Sequence, residues 1–159
     1  MRVMNNLKSK FKKANKDNKG FSLVELIIVI AIMAILVGIV GTQVIPYINK
    51  SKVAKDQQVL NSISTAGVAA YSENGLTGDI TVSVFASGLS GEQKAVADSI
   101  IATSGFADLN AFVAALGADG KDKITGVKFE VKAGTHEATT SVIYSEDPKY
   151  KIGDVKATL

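Results

Sequence analysis

The sequence predicts an α+β chain: a long N-terminal α-helix, apolar in its first half, carrying a small antiparallel β-sheet head. Three observations predict it. From Leu26 to Asn49 there are 24 consecutive residues without a charge, enough at about 1.5 Å per helical residue to cross a hydrocarbon core of roughly 30 Å. After that run, apolar residues keep returning at helical spacing until Asn74-Gly75, a pair that tolerates the left-handed conformation ending helices. Beyond Gly75 the pattern changes over short distances, with period-two runs separated by turn residues.

Taken in order, residues 1–20 hold seven basic side chains against Asp17, a net +6, so residues 21–159 carry −3 of the whole-chain +3. A polar, basic stretch without hydrophobic periodicity reads as a leader, and Lys19 closes it. The basic leader outnumbers Lys50, Lys52 and Lys55 on the other side of the apolar run, which predicts a single membrane span with the leader in the cytoplasm and the rest outside. Residues 21–48 form the membrane-spanning part of the helix, 49–74 its continuation, and 75–159 the head. A helix from Phe21 to about Glu73 would be roughly 80 Å long. Gly38, Gly41 and Gly67 weaken it locally and Pro46 removes one donor, so a bend or softened turn is expected near Gly38, Gly41 and Pro46. In the continuation, Val53, Leu60, Ile63, Ala70 and Tyr71 fall near one face, with Lys55, Asp56, Gln57 and Asn61 directed elsewhere.

In the head, Asp79–Phe85 reads as a strand or an irregular link. Ser90 followed by Gln93 predicts a capping box opening a helix to about Thr103, and Phe106–Leu116 a second short helix ended by Gly117. Strands follow at Ile124–Lys132, Thr139–Tyr144 and Val155–Thr158, joined by turns such as GADGKD and AGTHE, with the long helix packed across one face of the sheet.

One residue does not fit an ordinary membrane helix. Glu25 stands at the edge of the apolar run with no basic residue in the following turn, and a carboxylate there needs a partner. Cutting the chain between Gly20 and Phe21 would supply one, because the new α-ammonium of Phe21 lies four residues from Glu25, one helical turn away. Glu25 would also stand in the first turn of the helix, where free backbone N–H groups favour negative charge.

The string K-G-F-S-L-V-E followed by an uncharged apolar run resembles the N-terminus of type IV prepilins and their relatives. The resemblance spans roughly residues 19–50. It implies the pilin fold, cleavage after Gly20 by a membrane prepilin peptidase, N-methylation of Phe21, and a salt bridge between Glu25 and the Phe21 ammonium of a neighbouring subunit. Such a pair adds little net stability, but leaving one member unpaired is costly, so it would fix the register of otherwise non-directional apolar packing. The implied partners are copies of the same chain in a helical filament, the peptidase, a membrane platform protein and an assembly ATPase. The implied role is motility and adhesion as a pilus subunit; a competence pilin for DNA uptake, a type II secretion pseudopilin and a tip-located adhesive minor pilin are the alternatives within the family. Many pilins have a proline where this chain has Thr42, and the C-terminal cysteine pair of many Gram-negative pilins is missing.

Other functions find little support. There is no cysteine for a disulfide or thiolate metal site. No nucleophile elbow or phosphate-binding glycine loop occurs, so neither catalysis nor a cofactor is expected. His136, the single histidine, reads as an exposed loop residue, and ADGKD as a hairpin turn rather than a calcium loop. Gly38 and Gly41 lack small-xxx-small spacing. Tyr47 and Tyr71 read as packing or interfacial residues. The acidic remainder, without clustered lysines, argues against DNA binding by the head. A conventional secretory signal would end in a small-x-small site, which GIVGTQV fits poorly, and a plain anchor would gain nothing from Glu25.

Overall fold

The computed structural model describes residues 20–159. The chain divides between Val44 and Ile45 into two units.

In the first unit, Gly20 to Ser22 is non-helical and α1 runs over Leu23–Ile39. Ser22 opens it as N-cap with extended dihedrals, and Glu25 completes a capping box. No residue of α1 is buried; Leu26, Ile30 and Ile35 are all more than half exposed. A helix apolar all round with nothing covering it is built for a lipid or protein environment rather than water. Its helical turns give way to a π-helical turn, Val40–Val44. Here the Thr42 hydroxyl donates to the carbonyls of Gly38 (3.0 Å) and Ile39 (3.4 Å), a back-bond that competes with the helical ladder.

The second unit begins with α2, Ile45–Glu73. Its end is a Schellman motif: Gly75 is left-handed (φ 64°), its N–H donates to Ser72, and the Leu76 N–H donates to Tyr71. Then come β1 (Ile80–Ser83), α3 (Gly91–Ser104), α4 (Leu109–Ala115), β2 (Ile124–Lys132), β3 (Glu137–Tyr144) and β4 (Val155–Thr158). The four strands form one antiparallel sheet in the order β1-β2-β3-β4. One row across it, Val82, Phe129, Thr140 and Val155, is buried on all four strands. Leu60, Ile63, Ala66 and Ala70 of α2 join that face in a single core with Val96, Ile100 and Phe112. The helix can approach because residue 67 is glycine: a Cβ there would stand 2.4 Å from the Phe129 ring. Gly67 therefore serves close packing and does not interrupt α2.

Four local expectations are corrected. The Ser90 side chain makes no capping bond, because Gly91 takes a left-handed φ of 56° and Gln93 turns instead to the Thr81 carbonyl (3.0 Å). The second helix starts at Leu109, three residues later than expected, where Asp108 caps the Ala111 N–H at 2.7 Å. The ADGKD segment is not a hairpin turn; it leads from α4 into β2 through a left-handed Gly120 and a 3₁₀ turn, Lys121–Lys123. Asp56, expected to face away from the core, is fully buried.

Candidate functional site

The peptide between Gly20 and Phe21 lies in exposed, non-helical backbone two residues before the first turn of α1. Phe21 is 86% exposed. Lys19 lies outside the described residues, as do residues 1–18 before it. Immediately after Phe21, the Ser22 N–H donates to Glu25 Oε2 at 2.8 Å, and the Val24 N–H donates to Ser22 Oγ at 3.3 Å. Among the described residues, Glu25 therefore has a partner within the chain, a backbone amide rather than a cation. The signal for it was present in the sequence as S-x-x-E, Ser22 to Glu25. Oε1 of Glu25 makes no hydrogen bond among the described residues. The site thus combines an accessible peptide bond, an acid one turn beyond it, and an apolar helix with its whole circumference uncovered.

Residues 15–41 match the family model described as the prokaryotic N-terminal methylation motif. The chain carries the motif characteristic of type IV pilin-like proteins. Neither the comparison with curated proteins nor that with solved structures finds a match. The motif covers Gly20, Phe21 and Glu25 together, and it stands at the head of a chain with a long apolar N-terminal helix and a small antiparallel sheet. An apolar helix carrying this motif marks a membrane-anchored protein. Of the remaining residues singled out above, Gly38 lies in α1, Gly41 in the π-helical turn and Pro46 at the start of α2. His136 is exposed, with φ 53°, in the turn between β2 and β3. Tyr47 is 75% exposed, whereas Tyr71 is buried and donates its hydroxyl proton to the Gly78 carbonyl (2.9 Å).

The residue least visible in the sequence is Asp56. Its carboxylate accepts from the N–H groups of Gly117 (2.9 Å) and Ala118 (2.7 Å), tying α2 to the loop after α4. Lys52 reaches Asp119 of the same loop at 3.6 Å. Asp56 lies four, seven and eleven residues before Leu60, Ile63 and Gly67, so its spacing places it on the buried stripe. A charged residue on that stripe is buried here because two backbone amides satisfy its carboxylate.

Proposed function

We propose that this chain is the precursor of a structural subunit of a type IV pilus or related filament. It is inserted with the leader in the cytoplasm and the head outside, cut between Gly20 and Phe21, and N-methylated on Phe21. The leader, residues 1–20, is removed; residues 21–48 form the filament core; residues 49–74 continue into the head, and 75–159 make the outer surface. The observation that carries this reading is the exposed, non-helical Gly20–Phe21 bond directly before the capped start of a wholly uncovered apolar helix. After cleavage, Oε1 of Glu25 receives the Phe21 ammonium of a neighbouring subunit, while Oε2 keeps the Ser22 amide. Subunits are extracted with the help of a platform protein and an ATPase. The π-helical turn, with Gly41 inside it, Gly38 just before and Pro46 just after, is where α1 and α2 loosen on assembly.

Intact-mass measurement and N-terminal sequencing of protein from sheared cell-surface material test the proposal. The expected chain begins at Phe21, with one added methyl group. A chain still beginning at Met1, or cut beyond Val40, would overturn it. Glu25→Ala is expected to insert and be cleaved as the parent is, yet to give few filaments.

A further inference from the structure

The first turns of α2 carry a second surface. On the face turned away from the buried side chains Asn49, Asp56 and Leu60, Tyr47, Ser51, Ala54 and Gln58 are all exposed. Lys50 and Lys55 flank this face, one on each side. Lys52 is engaged with Asp119, but neither Lys50 nor Lys55 has a carboxylate within 4.0 Å among the described residues. Two free ammonium groups thus stand directly after the uncharged run that ends at Asn49. They also work against the charge bias that orients the span, since basic residues beyond a membrane segment oppose a basic leader.

We infer that Tyr47, Lys50 and Lys55 form a binding surface for the phosphate headgroups of anionic phospholipids, in the leaflet opposite the leader. The inference rests on the membrane-span part of the reading above. Lys50 borders the apolar run, and Lys55 lies about 7.5 Å further along the axis. Helical side chains lean toward the helix N-terminus, which here is toward the bilayer, so both stems carry their charges back into a headgroup layer roughly 5–7 Å thick. Tyr47 is an exposed aromatic at the level where such rings collect. Residues 21–159 carry a net −3 and are repelled by an anionic surface, so this cationic collar at the base of α2 is what holds local anionic lipid against that field.

The test uses the full chain with Tyr47→Trp, which is the only tryptophan because the natural sequence has none. It is reconstituted in phosphatidylcholine bilayers, and its fluorescence is quenched by brominated phosphatidylglycerol or brominated phosphatidylcholine. Each lysine near an anionic surface is worth about a fivefold preference. The expected relative affinity for phosphatidylglycerol is therefore on the order of 10 to 30, falling toward 1 in Lys50→Gln/Lys55→Gln and in high salt. Equal quenching by the two lipids in the parent, or a preference unchanged in the double variant, would overturn the headgroup surface while leaving the span intact. No quenching by either lipid would overturn the span itself, and the headgroup surface with it. Lost filament assembly in the double variant with unchanged lipid preference would assign the lysines to contact between subunits, and would equally overturn the inference.

Discussion

Asp56→Ala should loosen the head at one defined place. The carboxylate holds two consecutive backbone amides, and its own side chain is fully buried. Ala118 is buried too, so its N–H left without an acceptor costs about 1–3 kcal/mol. Gly117 is exposed and can turn its N–H to water, which adds less than about 1 kcal/mol. Removing the carboxylate also relieves its desolvation, which offsets part of the loss. The net cost is about 2–3 kcal/mol. For a unit running from Ile45 to Leu159, 1 kcal/mol corresponds to roughly 3–6 °C, so the melting midpoint should fall by on the order of 10 °C. Asp56→Asn keeps the volume but can accept only one of the two amides, and its NH₂ meets the other donor head-on. It should cost most of what alanine costs.

The assay is thermal unfolding of the full chain in detergent micelles, followed by tyrosine near-UV circular dichroism, with hydrogen exchange read residue by residue. Exchange should speed up first at Gly117 and Ala118, and then along the loop that Lys52 and Lys121 also hold, through Asp119 (3.6 Å) and the Leu116 carbonyl (2.9 Å). If both variants melt within about 2 °C of the parent, or if protection is lost evenly across the head, the carboxylate is not what fixes this loop.

Gly67→Ala should destabilise the head by about 1–3 kcal/mol, because overpacking against Phe129 outweighs the gain of about 1 kcal/mol in helix propensity. Gly38→Ala, whose Cβ meets nothing within 4 Å, should leave head melting unchanged in the same measurement. The Lys123 ammonium, bonded to Glu146 at 2.8 Å, holds that carboxyl below its ordinary 4.5, and Lys128 does the same for Glu130. A depressed folded-state pKa stabilises above the unfolded value and loses its effect as pH falls through the folded one. The small, salt-screened contribution of these pairs should thus fade as pH falls below the ordinary carboxylate range and be gone once it has passed through the depressed folded values, and carboxyl NMR of Lys123→Gln should show Glu146 titrating higher than in the parent. Ser22→Ala should cost about 1 kcal/mol at the start of α1, seen as faster exchange of the Val24 amide, with head melting unaffected.

The strands β2 and β4 were legible because apolar residues alternate with polar ones over residues 127–132 and Val155–Thr158, which fixes period and face; a register shift between Ile124 and Gly126 interrupts the alternation only at the start of β2. Helix ends were legible where backbone conformation decided them, as at Asn74-Gly75, and less so where side chains competed. The same S/T-x-x-E/Q rule illustrates both outcomes. At Ser90–Gln93 the pattern is present without the cap, since a left-handed Gly91 displaces the geometry and β1 offers Gln93 another acceptor. At Ser22–Glu25 the cap forms, although the acid draws attention to distant cations first. The burial of Asp56 is not legible locally, because its amide partners lie 61 and 62 residues further along the chain and no local pattern announces a tertiary acceptor. The proposal for Gly20, Phe21 and Glu25 draws on no tertiary information, since all three lie within one non-helical segment and the helical turn after it.

That locality bears on how the acid is held at the edge of the apolar run. A carboxylate entering an apolar run unpartnered would carry a penalty for as long as the precursor waited in the membrane. The Ser22 amide satisfies one oxygen from the outset, and the same bond helps to fix where α1 begins. On the proposed reading, cleavage then changes the charge of the site rather than its hydrogen bonding: an ammonium arises one turn away while the capping bond stays in place. Capping alone would be met by glutamine at position 25, which keeps the acceptor but loses the charge. Glu25→Gln therefore separates the two roles. Retained protection of the Ser22 amide together with lost filaments assigns the charge to assembly; retained filaments would mean that the cap is all Glu25 provides, and the register argument would fall.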